Sequence, residues 1–501
     1  HLLSFFLSFM ILFGTNSRKK GASMKDDIIT FLALKEANIE TVNSVVRKGQ
    51  RVVTLQKKLT ANYCPICSHR MYSKGIYKRT LNHPIMQDGL QLVIVLNQRR
   101  WLCSNPACRH SMNDEFSFID PYRRITNTTD LMIVNAFKDS NLTAAQIART
   151  FHVSDTHAIT TFARYVDMPQ RQLTEAICID EVHVDISYKC KYALVIQDFI
   201  SGEPIDMLES RREEITEPYF AKLPLRQRAK VKYLVTDMYR PYLGFVDKYF
   251  PNAISVIDSF HVVKMINHEL HKYILRLIRK YRDRDEVNHE ALEQKLGRRI
   301  EFTPSREYYI LKKYQWLILK NNDEVNYSQP PKFNKKLRRT VTIAEIENMM
   351  FDIDPNLAEL RNLKEKYIRF NKQFGGKHTE ASDRLQYIIE DYRNSTYPMF
   401  HRITESLTYH RQAIVNSFIM VERHLKDDAH IKRLSNGPAE ALNRIVKDMK
   451  RNGRGYQNFS HLRNRFLFSQ RENAAILGVP KKLEEVSNPT NKSRGPYKKK
   501  E

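Results

Sequence analysis

Acidic residues are in short supply. The 501-residue chain holds 56 Asp and Glu against 82 Lys and Arg, a formal net charge of +26. The excess is spread along the chain rather than gathered in a tail, which suits a polyanionic partner, nucleic acid above all. A basic protein with no such partner is the plainer alternative. Long apolar runs are missing as well. The opening residues, HLLSFFLSFMILF, fall short of the ~20 needed to cross a bilayer. No basic segment precedes them and no small-residue cleavage site follows, since RKK comes next. Residues 1–23 therefore read as an upstream extension with Met24 as the native start, a membrane anchor being the weaker alternative. General disorder is excluded by the 42% hydrophobic and 10% aromatic content.

Cysteine is scarce, and the six present are not scattered. Four fall in CPIC (Cys64, Cys67) and CSNPAC (Cys103, Cys108), while Cys178 and Cys190 lie far downstream. Two short-range pairs flanking a strand-rich stretch have zinc-ribbon spacing, because each tight turn presents two sulfurs to one ion. Two disulfides would use the same residues. The charge balance suggests an intracellular, reducing compartment and favours structural zinc. His69 and His110 stand nearby as substitute ligands. In the strand pattern QLVIVLNQRRWLC between the pairs, Arg99 and Arg100 are positioned to meet phosphates.

Residues 143–166, TAAQIARTFHVSDTHAITTFARYV, read as two short helices. Ala144, Ile147, Ala148 and Phe151 share one face of the first. A break at Val153-Ser154 follows, with Ser154 an N-cap, and Ile159, Phe162 and Ala163 begin the stripe of the second. This is helix-turn-helix spacing, in which Thr156, His157, Thr160 and Arg164 would face a DNA major groove; an ordinary helical hairpin is the alternative.

After residue 175 the periodicity changes. AICIDEVHV (176–184), KYALVIQDF (191–199) and EPIDMLES (203–210) read as an antiparallel meander. A helical stretch around 213–224 then crosses to VKYLVTD, followed by a helix and AISVID (253–258). That order belongs to a ribonuclease H-like α/β domain, a mixed sheet whose fourth strand runs parallel to its first. Asp180 and Asp237 would then stand side by side at neighbouring strand ends, where two carboxylates repel unless a divalent cation lies between them. Oxygen ligands suit magnesium or manganese. A late helix with Pro438 in its first turn buries Ala439, Leu442, Val446 and Met449, and Glu440, Asn443 and Lys447 occupy another face. Read in isolation, Glu440 is a capping or dipole-complementing residue.

The series IDEVH, VTDMYRPY, VIDSFHVVK and SNGPAEALNRIVK, continued by RGYQNF and LRNRFLF, resembles the transposases of the ISL-three family of insertion sequences, from Met24 to about residue 470. These belong to the DDE group. The resemblance implies a catalytic triad of Asp180, Asp237 and Glu440 holding magnesium or manganese, with Asp258 and His261 in support. It also implies two-metal cleavage and joining of double-stranded DNA at terminal inverted repeats, by at least a dimer. A cytoplasmic, nucleoid-associated bacterial protein follows from it. A regulator that keeps residues 60–166 but needs no triad, and a structure-selective nuclease on the same fold, are the alternatives.

Asp180 and Asp237 are 57 residues apart (237 − 180), but Asp237 and Glu440 are 203 apart (440 − 237), more than a compact connection needs. The expected organisation is a zinc-binding domain over 24–120, a helix-turn-helix domain over 121–170 and a catalytic core over 171–283. A helical insertion follows over 284–430, containing Trp316 and the basic stretch KKLRR (335–339). The helix of Glu440 returns to the core over 431–470, and 471–501 is a basic tail.

Overall fold

The structure is a computed structural model describing residues 34, 36, 38–83, 90–120, 123–187, 190–425, 428–454 and 456–486. The extension at 1–23 and the end of the tail, 487–501, lie outside the described residues. Contacts divide the chain into two compact units, residues 1–167 with 474–501, and residues 168–473. The family of helices and strands in each unit makes the protein a mixed α/β molecule. No helix among the described residues is long and apolar enough to cross a membrane.

The first unit is built on a sheet. Strands β1 (Ile39–Arg47), β2 (Gln50–Lys57), β3 (Asn62–Tyr63), β4 (Arg70–Asn82), β5 (Gln91–Cys103) and β6 (Ser111–Asn113) are ordered β1-β2-β5-β4-β3, with β6 on β5. Alternate residues Leu92, Ile94 and Leu96 of β5 bury against Val53, Leu55, Leu81 and Phe116, as period-two patterning requires. Gly75, at φ +144°, takes up a register shift in the β4–β5 pairing. Helices α1 (Asn127–Ala136), α2 (Ala144–Thr150) and α3 (Asp155–Tyr165) follow. Thr143 and Gln146 form a capping box at α2, and the Ser154 hydroxyl accepts from His157 N at α3. The buried face of α3 is Ala158, Thr161, Phe162 and Tyr165. The stripe expected to begin at Ile159 is turned by one residue; Ile159 is 37% exposed, because Phe162 packs on Phe137 and sets the rotation of the helix.

The second unit contains a five-stranded sheet of β7 (Ala176–His183), β8 (Tyr192–Asp198), β9 (Pro204–Leu208), β10 (Tyr233–Thr236) and β11 (Ile254–Ile257), ordered β11-β10-β7-β8-β9. The meander β7-β8-β9 is antiparallel, and β10 runs parallel to both β7 and β11. Helices α4 (Glu213–Ala221) and α5 (Leu225–Arg228) make the crossover to β10, and α6 (Arg240–Tyr249) joins β10 to β11. Both faces of the sheet are covered, so its strands are almost continuously apolar. Ile177, Ile179, Leu194 and Leu234 face Phe220, Phe245 and Tyr249 of α4 and α6. Ala176, Cys178, Val235 and Val256 face the other way, toward Ala439.

Helix α7 (Ser259–Leu296) runs unbroken through residue 283, so the expected edge between core and insertion falls inside one helix. Its buried stripe Val262, Ile266, Leu270 and Ile274 joins one core with α8 (Arg306–Tyr314), α9 (Trp316–Leu319), α10 (Ile343–Ile353), α11 (Asn356–Gln373), α12 (His378–Arg393), α13 (Pro398–Tyr409) and α14 (Arg411–Asn416). Two antiparallel strand pairs accompany them: β12 (Lys332–Asn334) with β13 (Arg339–Val341) between α9 and α10, and β14 (Met420–Leu425) with β15 (Asp428–Arg433) after α14. Helices α15 (Gly437–Asn452) and α16 (Phe459–Gln470) close the unit. The segment after residue 473 belongs to the first unit, where Leu477 N and Lys481 N donate to the carbonyls of Tyr165 and Arg164 at the end of α3.

Candidate active site and metal centre

Strand alternation decides which side chains meet. Asp180 shares the face of Ala176 and Cys178, and so points to the side covered by α15. The β7–β10 pairing ends at Cys178 opposite Val235, and two residues further on each strand stand Asp180 and Asp237. Asp180 lies within β7 rather than at its end, since β7 continues along β8 to His183.

Helix α15 supplies the third carboxylate. Pro438 at its start suits the first turn, and Glu440 sits where the helix dipole favours an anion. Ala439, Leu442, Val446 and Met449 are buried, as their spacing requires, but Asn443 is buried with them. Its Nδ2 donates to Asp180 Oδ2 at 2.8 Å and to the Glu181 carbonyl at 3.2 Å. Asn443 was expected on the face of Glu440, and its place one turn after that glutamate is the signal for this contact.

Asp258 does two jobs. Its Oδ1 accepts from Phe260 N to cap α7, and its Oδ2 accepts from Asn436 N at 2.7 Å. The start of α15, three residues before Glu440, is thereby fixed to the start of α7. His261, in the first turn of α7, acts electrostatically on Asp237, and its Nε2 is buried with no hydrogen-bond partner. Asn436, fully buried, also leaves both side-chain polar atoms unpaired.

Burial pushes the Asp180 carboxyl up to about 7, and the charges of Asp237, Glu440 and Glu181 add to that rise. Asp237 is also raised, by burial first, although the Tyr239 amide that donates to its Oδ1 works against this. None of Asp180, Asp237 and Glu440 has an ion-pair partner within 4 Å among the described residues. The neighbouring Glu181 is different. Arg211 donates to both its oxygens at 2.7 and 2.6 Å, and the Tyr242 hydroxyl donates at 2.5 Å. One carboxylate of the group is thus neutralised by the protein, and among the described residues the other three are not. Their oxygens do not all come within 4.8 Å of one another; among the described residues only the four cysteines reach that spacing.

Those four cysteines form a separate centre. Cys64, Cys67, Cys103 and Cys108 are all free thiols, with Cys67 and Cys103 sulfurs 3.4 Å apart and Cys64 and Cys108 sulfurs 3.8 Å apart. A disulfide requires about 2.05 Å. Sulfurs held about 2.3 Å from one tetrahedral ion stand about 3.8 Å apart, so the geometry fits a metal and not two cross-links. Each pair rides on a tight turn: Ser68 N donates to the Cys64 carbonyl, and Cys108 N to the Asn105 carbonyl. Ser68 and Arg109 take positive φ at the exits. A backbone hydrogen bond from His69 pulls the Cys67 thiol down to about 6, toward the thiolate a metal binds. His69 itself bonds the Cys67 carbonyl through Nδ1, and neither it nor His110 is needed as a ligand.

The expected DNA contacts divide. Arg99 is 9% exposed, with its guanidinium over the ring of Trp101, which shares its face of β5, opposite the face of Leu92, Ile94 and Leu96. Arg100 is exposed, and its Nε donates to the Ser111 hydroxyl. Thr156 is exposed and Thr160 half-buried on α3. His157 leans inward to Asp130 at 3.5 Å, and Arg164 donates through Nε to the Lys481 carbonyl at 2.9 Å. The carboxylate of Asp130, although buried, is held below its ordinary value by His157 and Arg123.

A family model described as "Transposase" matches residues 177–466, which takes in β7 through α16 and every acidic residue of the site. A curated relative from Bordetella parapertussis, "Transposase for insertion sequence element IS1001", is 24% identical over 297 residues, 58% of this chain. The chain spans 66% of the length of that relative.

Proposed function

Because the chain belongs to the ISL-three family of transposases, we propose that it cleaves DNA at the terminal inverted repeats of its element and joins the freed 3′ ends to target DNA. Asp180, Asp237 and Glu440 carry the reaction on a ribonuclease H-like sheet. The observation that supports this best is that Asp237 and Glu440 both act on the buried Asp180, and none of the three has an ion-pair partner within 4 Å among the described residues, whereas the neighbouring Glu181 has one. Carboxylate oxygens suit magnesium or manganese, and the raised Asp180 marks a charge that a cation would relieve. Bound there, two such ions supply activation of the attacking oxygen and stabilisation of the leaving 3′-oxygen.

The protein's own part is positioning. Asn443 and the Glu181 amide hold the two oxygens of Asp180, and the Tyr239 amide holds Asp237. Asp258 fixes the turn that delivers Glu440. Arg211 keeps Glu181 from competing for a cation. In the first unit, the cysteine quartet holds structural zinc, and α2 with α3 act as a helix-turn-helix that reads the repeat through Thr156 and Thr160, with Arg100 on phosphate.

The test is to identify inverted repeats flanking the gene and to incubate the protein with a duplex ending in that sequence and magnesium. Nicks leaving 3′-hydroxyls at the repeat boundary are expected. Failure to bind or cut a repeat that brackets the gene would overturn the proposal.

A further inference from the structure

Helix α7 starts in the acidic site and leads away from it. One side carries His261 and then, at steps of four, three, four, four and three, Met265, His268, Lys272, Arg276 and Arg279. At about 3.6 residues per turn these steps keep the six in one stripe, beside the buried stripe of Val262, Ile266, Leu270 and Ile274. The side of the helix that brings His261 to Asp237 is therefore the side that carries the cations.

Lys272, Arg276 and Arg279 are exposed, and with Arg402 of α13 they line a recess of about 240 Å³. The anionic group in that recess is Glu269, which already accepts from Lys272 at 2.8 Å and from Arg402 at 2.8 Å. Neither Arg276 nor Arg279 has an ion pair among the described residues; Arg276 rests on the Tyr273 ring. Four cations around one carboxylate repel one another unless further anions are supplied. Guanidinium groups on a shallow surface are suited to phosphate oxygens in particular.

We infer that this stripe is a phosphate track, on which Lys272, Arg276, Arg279 and Arg402 seat the backbone of the duplex flanking the reacting phosphodiester. The inference rests on the transposase reading and adds to it a path for the substrate. Lys272 is 11 residues beyond His261 (272 − 261) and Arg279 is 18 beyond it (279 − 261), or ~16 and ~27 Å at ~1.5 Å per residue. At ~3.4 Å per base pair, the seated phosphates lie about five to eight base pairs from the cut.

The experiment compares the full-length protein with an Arg276→Ala, Arg279→Ala, Arg402→Ala variant. Each is titrated without divalent metal against a repeat-ended duplex carrying ten or so base pairs of flank, over a range of salt, and footprinted with hydroxyl radical. Loss of three phosphate contacts should flatten the slope of log affinity against log salt by about 2.7. Protection should disappear about five to eight base pairs from the cut and persist over the repeat sequence. Lysine at the same three positions should keep most of the slope, which separates charge from folding. An Ala variant with wild-type melting, slope and footprint would overturn the track. If the Ala variant misfolds, single Arg279→Glu at an exposed position must still lose flank protection, and its failure to do so overturns the track as well. Wild-type protein that binds no duplex at all would instead remove the transposase reading beneath it.

Discussion

Replacing Asp180 by Asn should stabilise the protein at pH 8 in EDTA. The Asp180 carboxyl is pushed up to about 7 from its ordinary 3.8, chiefly by burial and then by Asp237 and Glu440. Below about pH 4 the group is protonated in both folded and unfolded chains and costs nothing. As pH rises from about 4 to about 7 the unfolded chain releases its proton while the folded chain retains it, so folding stability falls; above about 7 the penalty is complete. A shift of about 3 units corresponds to about 4 kcal/mol, and solvent screening at a half-buried site reduces this to about 2–4 kcal/mol. Asparagine removes the charge but gives up one of two acceptors, for Asn443 Nδ2 and Glu181 N donate to different oxygens. That loss costs about 1 kcal/mol, leaving a net gain of about 1–3 kcal/mol. In a unit of 306 residues (473 − 168 + 1) the gain amounts to about 2–6 °C in Tm. Melting should be followed at pH 5 and pH 8, in EDTA and in magnesium. The variant's advantage should grow with pH in EDTA and shrink or reverse in magnesium, which stabilises only the wild type. An Asp180→Asn protein that melts below wild type at pH 8 in EDTA would refute the reasoning.

Other outcomes follow from single contacts. Purified protein should carry about one zinc per chain, lost with folding of the first unit in a Cys64→Ser, Cys67→Ser double mutant and measured by metal analysis. Asp258→Ala removes the acceptor for Phe260 N and Asn436 N; about 1–3 kcal/mol of stability should go, with metal affinity falling because Glu440 loses its anchor, as calorimetry would detect. Arg100→Ala should weaken DNA binding and lower its salt dependence by about one contact, whereas Arg99→Ala should lower Tm and leave the salt slope unchanged. Arg164→Ala should cost about 1 kcal/mol by freeing the Lys481 carbonyl and raise proteolysis of residues 474–486, a result distinct from lost sequence discrimination.

The legible parts of the sequence were those with a period or a fixed spacing. The cysteine quartet was evident from two tight pairs, and the strand order from the meander and the helical crossover read around 213–224. Motif order is what singled out the three acidic residues, and alternation along β7 explains why Asp180 faces α15. What could not be read depended on rotation and on distant chain. Arg99 looked available because a strand pattern does not say which face is covered, and the Trp101 ring beside it was not seen as its partner. The turned face of α3 follows from Phe137, outside the helical pair that was read. The tie between Arg164 and Lys481 spans most of the chain, and no local pattern announces it. The burial of Asn443 could not be read, because a buried asparagine makes sense only once Asp180 is opposite. The edge drawn at residue 283 falls inside α7, which has no helix-breaking residue there.

The central claim is that Asp180, Asp237 and Glu440 form one metal-dependent site that cuts and joins DNA. Its most direct test is cleavage of a labelled inverted-repeat duplex in magnesium by wild-type and Asp237→Asn proteins, with binding to the same duplex measured on the same preparations. Asp237→Asn should bind the repeat as wild type does and should lose both strand cleavage and strand transfer. Cleavage at the wild-type rate by the Asp237→Asn protein would contradict the claim and leave Asp237 a strand-end residue that bonds the Tyr239 amide.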